Sequence, residues 1–307
     1  MSPCRASLLL AGTLALAPIV AGCRQAEPEV AAFEAAPAYF ELAFPQMREI
    51  ELRLEPLVPL PAVPDEGEKP IVFVHLLDEP GSVVRTFDHP LPASWTPGRP
   101  IVWRVRVHQS ALGEPLEPGE YLLTAGVHRG GHRVALRTAA ERVARLEYRI
   151  ATVSVPAGAE GGTVPLARFS ADWLPPEAGV DRQILARRAL AAGAIGTLQF
   201  GPVERSGRIL LGVLIPESAG PAARLEILDG ASQPKVRIGS TCGGGQPEIA
   251  GTGRFDVELE VAPAAGARIC EVTIAPNFRI TSSESAQATS VRLEVLAWEP
   301  DEDGPAG

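Results

Sequence analysis

Short runs of alternating apolar and polar residues, separated by Pro/Gly turns, recur along this chain and leave little room for helices. In residues 49–55, Ile50, Leu52 and Leu54 alternate with Glu51 and Arg53, which sends one face of an extended strand into a core and the other into water. Residues 101–108 repeat the pattern, with Ile101, Trp103, Val105 and Val107 on one face and Arg104, Arg106 and His108 on the other. Residues 71–77 are apolar on both faces, as a central strand is, and Asp78-Glu79-Pro80-Gly81 turns them into a hairpin with residues 82–87. Pro118-Gly119 opens a strand at 121–129, and Gly130-Gly131 returns it at 132–137. Residues 141–155 alternate again through Leu146, Tyr148 and Ile150.

The Pro/Gly/Ala stretch at 156–162 marks a boundary between domains. Beyond it, strands are predicted at 208–215, 224–228, 235–240, 255–261, 269–274 and 291–298. Residues 181–192 could be a short helix through Ile184, Leu185 and Leu190 or a strand entry, and are read as strand. The expectation is an all-β chain of two consecutive β-sandwich domains, 37–156 and 163–300, with an acidic flexible tail at 301–307.

The N-terminus carries an address. Arg5 precedes an apolar run from Leu8 to Val20 that is broken only by small residues and Pro18, and is too short to span a bilayer comfortably. It closes on Val20-Ala21-Gly22-Cys23, which resembles the lipobox of bacterial lipoproteins. That resemblance implies a signal peptide over 1–22, cleavage before Cys23, and a diacylglycerol on its thiol. An ordinary secretory signal and an uncleaved anchor are the alternatives. Arg24 stands where an Asp would argue for inner-membrane retention, so outer-membrane attachment facing the periplasm is expected, with the cell surface as the alternative. Residues 23–36, rich in Ala, Glu and Pro, are expected to be a tether.

A formal charge of -9 argues against nucleic acid as a partner, since phosphate binding relies on clustered cations. The cations are nearly all Arg, with Lys only at Lys69 and Lys235, and look scattered among acids. Four cysteines reduce to one pair: Cys4 leaves with the leader, Cys23 takes the lipid, and Cys242 and Cys270 remain. In an oxidising compartment these should form a disulfide. Cys242 lies in phase with Val236 and Ile238, and Cys270 with Val272 and Ile274, so both should face one core. The competing reading makes Cys242 a nucleophile beside Gly243-Gly244-Gly245, with no base evident in the sequence.

Val72-Phe73-Val74-His75-Leu76 with Asp78 and Gly81, then Asp88-His89, Trp95 with Pro97-Gly98, and Pro118-Gly119-Glu120-Tyr121 leading to Gly126, carry a family likeness. Over about 90 residues they resemble the immunoglobulin-like modules of bacterial envelope proteins, including those beside some membrane glycosyltransferases. The second domain, from Trp173-Leu174-Pro175-Pro176-Glu177 through Asn277-Phe278, is similar to the jelly-roll modules that accompany them, and departs at Asp181-Arg182, where an aromatic would be expected. The resemblance implies an accessory or binding role without catalysis, directed at envelope glycan or a protein complex.

No G-x-S-x-G elbow, H-E-x-x-H helix or Walker loop is present, so no enzyme is expected and a hydrolase would need an unrecognised site. His75 shares parity with Ile71 and Phe73 and reads as a hydrogen-bonded core histidine; His89, His108, His128 and His132 lack the spacing of a metal site. Neither metal nor cofactor is expected. Trp95, Trp173 and Trp298 are the candidate stacking surfaces for a sugar ring, weighed against packing over a domain edge. The expected partners are the membrane, through Cys23, and an envelope protein or glycan.

Overall fold

The computed structural model describes residues 27–61, 69–157, 164–178, 186–217, 223–243, 245–262, 266–282 and 285–301. Cys23, the leader, the boundary at 158–163, residues 181–185 and most of the tail lie outside the described residues. The alternating segments fold into strands as expected. Among the described residues no helix is long and apolar enough to cross a membrane.

The first domain is built from β1 (Glu29–Ala36), β2 (Tyr39–Glu41), β3 (Met47–Pro56), β4 (Ile71–Leu77), β5 (Val83–Thr86), β6 (His89–Pro90), β7 (Ile101–His108), β8 (Gly119–Arg129), β9 (His132–Arg137), β10 (Arg142–Ala144) and β11 (Glu147–Val155). One sheet holds β1, β3 and β7, all antiparallel. The facing one runs β2, β11, β8, β4, with β5 and β6 on its edge. The N-terminal segment serves both: β1 pairs with β3, and after Pro37 β2 pairs in parallel with β11. Gly130 and Gly131, at φ 56° and 75°, make the two-residue turn that sends β9 back along β8 and then parallel to β1. Val72, Val74 and Leu76 meet Leu52, Leu54 and Val107 in one continuous core between the sheets.

Two expectations need correction here. Residues 29–36 are not tether: Val30, Ala31 and Phe33 are buried, because β1 covers an edge that β3 would otherwise leave unpaired. The alternation through 141–155 is broken at Leu146, whose φ of 51° turns the chain between β10 and β11.

The second domain comprises β12 (Leu166–Phe169), β13 (Glu177–Ala178), β14 (Ala186–Ala191), β15 (Gly196–Val203), β16 (Gly207–Ile215), β17 (Ala223–Ile227), β18 (Lys235–Ser240), β19 (Glu248–Ala250), β20 (Gly253–Val261), β21 (Arg268–Pro276), β22 (Phe278–Ser282) and β23 (Ser285–Pro300). A five-stranded sheet, β12-β15-β21-β18-β19, packs on a seven-stranded one whose main path is β13-β14-β23-β16-β20. Successive strands β14, β15 and β16 alternate between the sheets, as in a jelly roll. Cys242 and Cys270 are 4% and 0% exposed in this core and bonded to each other, with Cα atoms 5.2 Å apart. Parity had placed them together, and the nucleophile reading of Cys242 falls with the thiol. Converting both to Ala is expected to cost roughly 3 to 4 kcal/mol by lengthening the free loop of the unfolded chain. Urea midpoints of the variant and oxidised wild type test this; equal midpoints would refute it.

Candidate functional site

Two polar assemblies stand out, one on the outer face of the first domain and one between the domains. The first begins with His75, which points away from the core on β4 opposite Thr124 of β8. Its Nδ1 lies 3.3 Å from Glu147 Oε1, and its Nε2 lies 3.6 Å from Asp88 Oδ1. Thr124 Oγ1 donates to Glu147 Oε1 at 2.6 Å and Arg133 Nη1 donates to Oε2 at 2.9 Å. Burial alone would lower the His75 pKa; hydrogen bonds and charge from Asp88 and Glu147 outweigh it and raise it to about 9. Glu147 is held down to about 2, chiefly by the His75 bond.

A histidine held as a cation near neutral pH cannot accept a proton as a general base does. The Thr124 hydroxyl, fully buried, already donates to Glu147. The cluster clips the β9–β10 excursion onto the β4–β8 face. Arg133 also stacks 4.3 Å from the Phe73 ring centroid, and the missing side chain of Gly126 makes room for that ring: a Cβ there would lie 2.3 Å from Phe73 Cζ.

The second assembly couples the domains. Residues 45–46 and 110–111 of the first domain hydrogen-bond the edge of β23: Trp298 N–H donates to Pro45 O at 2.9 Å, and Ala111 N–H to Leu296 O at 2.7 Å. Beside them Met47, Leu210, Val295 and Ala297 form a separate buried cluster, all at most 2% exposed. Arg106 reaches Glu49 at 3.5 Å and Asp256 at 3.4 Å and also pairs with Glu258. Arg208 continues the chain to Glu258 at 2.9 Å and to Glu299. Burial opposes charge on Arg208, yet these carboxylates raise its pKa. Alternating signs across the seam fix the register of the two domains more than they add affinity.

His108 ends β7 under this seam, 9% exposed, its ring edge-on to Phe87 and its Nδ1 without a hydrogen-bond partner. Burial first, then the charges of Arg254, Arg85 and Arg106, depress its pKa to about 3. Sequence parity had put His108 and Arg106 on a solvent face; the second domain covers them.

Between the domains, residues of β2, β3 and β7 face Arg208 and Asp301 across a cleft of about 720 Å³. Its wall carries Tyr39, 58% exposed. This aromatic was missed in the sequence because residues 23–36 were read as tether and the chain after them was not parsed as strand.

Two of the three tryptophans are enclosed in a core. Trp173 and Trp298 are each 5% exposed in the second core, and Trp95 lies half-buried on the first, donating Nε1–H to Val58 O at 2.9 Å. Strict period two from Val291, Leu293 and Val295 would put Trp298 on the opposite face, and a β-bulge reverses that. Gly212 pairs with Val295 and Val213 with Leu293, so Glu294 is the extra residue and parity flips there. Val291 and Leu293 face the second core, Val295 faces the first domain, and Trp298 returns inward. Among the described residues no cluster of three or more His, Cys, Asp or Glu is arranged to hold a metal. His89 Nε2 accepts from Trp103 Nε1–H at 2.7 Å, and its Nδ1 lies 3.0 Å from Phe87 O, which defines a neutral, structural ring.

No family model matches this chain, and no curated protein does. Among solved structures it is similar to a marsupial T cell receptor at 11% identity, covering 89% of this chain and 99% of that one, with a TM-score of 0.22. The two-sandwich assignment rests on strand pairing.

Proposed function

We propose that this protein is a non-catalytic, lipid-anchored envelope protein whose two coupled sandwiches form a binding or scaffolding module. The observation that carries the reading is the use to which the polar groups are put. His75, Asp88 and Glu147 lock an excursion of the first domain, and Arg106, Glu258 and Arg208 lock the domain seam. Groups spent in this way hold a shape. Anchored through Cys23 at the outer membrane and facing the periplasm, that shape presents a surface to an envelope protein complex. Crosslinking the tagged protein in its own membranes, followed by mass spectrometry, should recover a defined protein set that is lost with Arg48→Glu and Arg104→Glu in the cleft. Recovery unchanged by those variants, or of no stable protein, counts against it.

Tyr39 favours a second reading, glycan binding in the same cleft, because an exposed ring flanked by Glu41 and Arg48 is the chemistry that stacks on and hydrogen-bonds a sugar. Tyr39→Ala should then abolish retention on envelope glycan; retention unchanged by it would exclude the cleft as the sugar site.

A further inference from the structure

We infer that the end of the first domain carrying the β8–β9 turn and β10 is a second membrane contact, which docks onto the anionic phospholipid surface bearing the Cys23 lipid. The inference rests on the lipid-anchor reading and goes beyond it in assigning an orientation. Its starting point is the loss of the tether. Because β1 begins at Glu29 and Glu27 lies beside Arg145 on the domain surface, only residues 24–26 stand between Cys23 and Glu27. Fully extended, that link reaches about 14 Å from Cys23 to Glu27. The headgroups must therefore lie within that distance of Glu27.

What surrounds Glu27 is cationic. Its carboxylate pairs with Arg145 at 3.2 Å, and Arg129, His132 and Arg133 line a recess with it beside Leu60 and Pro61. Residues 128–147 hold five arginines and two histidines against Glu141 and Glu147, the latter bonded to Arg133, in a chain of formal charge -9. Even with Glu27 and Glu29 added, arginine is in excess. Arg145 is 78% exposed and Arg142 lies exposed beside it, its Nε–H donating to Ala144 O, so both heads can turn toward lipid phosphates. Within a Debye length of about 8 to 10 Å such charges feel an anionic surface, and the short link keeps them at that range.

The contact would also orient the molecule. β1 runs from Glu29 at this face to Ala36 at the interdomain cleft, a rise of about 25 Å for eight residues. The cleft with Tyr39 and the second domain thus point away from the bilayer.

Flotation of the mature chain, prepared without acyl groups, on vesicles of phosphatidylcholine alone or with three-tenths phosphatidylglycerol tests the surface. Binding should require phosphatidylglycerol, weaken as salt rises, and fall at least tenfold in Arg142→Glu/Arg145→Glu, while Arg224→Glu/Arg237→Glu on the second domain leaves it unchanged. Equal binding to both vesicles, or equal loss in both variants, overturns the docking surface. Intact mass of the protein from its own membranes separately decides the anchor: a lipidated Cys23 with no vesicle binding refutes the contact alone, whereas an unmodified Cys23 refutes the anchor.

Discussion

Acidification from pH 7 to 4.5 is expected to destabilise the protein by about 1.4 kcal/mol per pH unit below 6.5, and the cause is His108. In the unfolded chain its imidazole binds a proton near pH 6.5; in the folded chain burial and the neighbouring Arg254, Arg85 and Arg106 hold its pKa at about 3. The folded state therefore binds fewer protons in that interval. The stability associated with the neutral ring is present above pH 6.5 and lost as pH falls toward 3, of order 5 kcal/mol in all. His89 is depressed by burial and acts in the same direction. Glu147, held near 2, loses its contribution as pH falls below about 4.5, and His75, raised to about 9, loses its own as pH rises from about 6.5 to 9. The interval between 6.5 and 4.5 thus isolates the buried imidazoles. Urea midpoints at pH 6.5, 5.5 and 4.5 should fall in the wild type and flatten in His108→Leu, which also removes an unpartnered polar atom. Parallel slopes would remove His108 as the cause.

Met47→Asp should cost about 3 to 5 kcal/mol and uncouple the domains, because it leaves an unpaired carboxylate where Met47, Leu210, Val295 and Ala297 now exclude water. Each sandwich keeps its own core, Phe33 with Leu52 in one and Phe200 with Phe278 in the other. Calorimetry should show one transition in the wild type and two in the variant. A variant that still melts in one transition, with a midpoint within about 2 °C of the wild type, would mean the seam carries little of the coupling.

Much of the strand layout was legible because period-two alternation reports a half-buried strand directly. Residues 71–77, 101–108 and 235–240 fall on β4, β7 and β18, and the Gly130-Gly131 turn is where its φ preference demanded it. Alternation also placed both halves of the disulfide on one core face. It failed where a strand is short on pattern. β1 reads Glu-Val-Ala-Ala-Phe-Glu-Ala-Ala, and nothing local distinguishes a strand recruited to cover an edge from an Ala/Glu-rich linker. It failed again at Glu294, since a bulge changes parity without a sequence mark strong enough to announce it.

The candidate site was scarcely legible at all. Tryptophans draw attention as sugar platforms, but the same size and apolarity draw them into cores, and Trp173 and Trp298 went there. Arg106 and His108 read as solvent residues because a sequence pattern describes one sheet's two faces and contains nothing about a second domain lying on the outer one. The arginines around Glu27 looked scattered for a related reason: β1, β9 and β10 gather them only after β1 pairs with β9. By itself, then, the sequence determined the all-β class, most strands and the cysteine pairing, all consequences of local periodicity and of which residues share a face. Only the tertiary structure decided which outer faces are covered, which charges meet across the seam and which arginines gather around Glu27, because those depend on long-range packing between surfaces that no local pattern encodes.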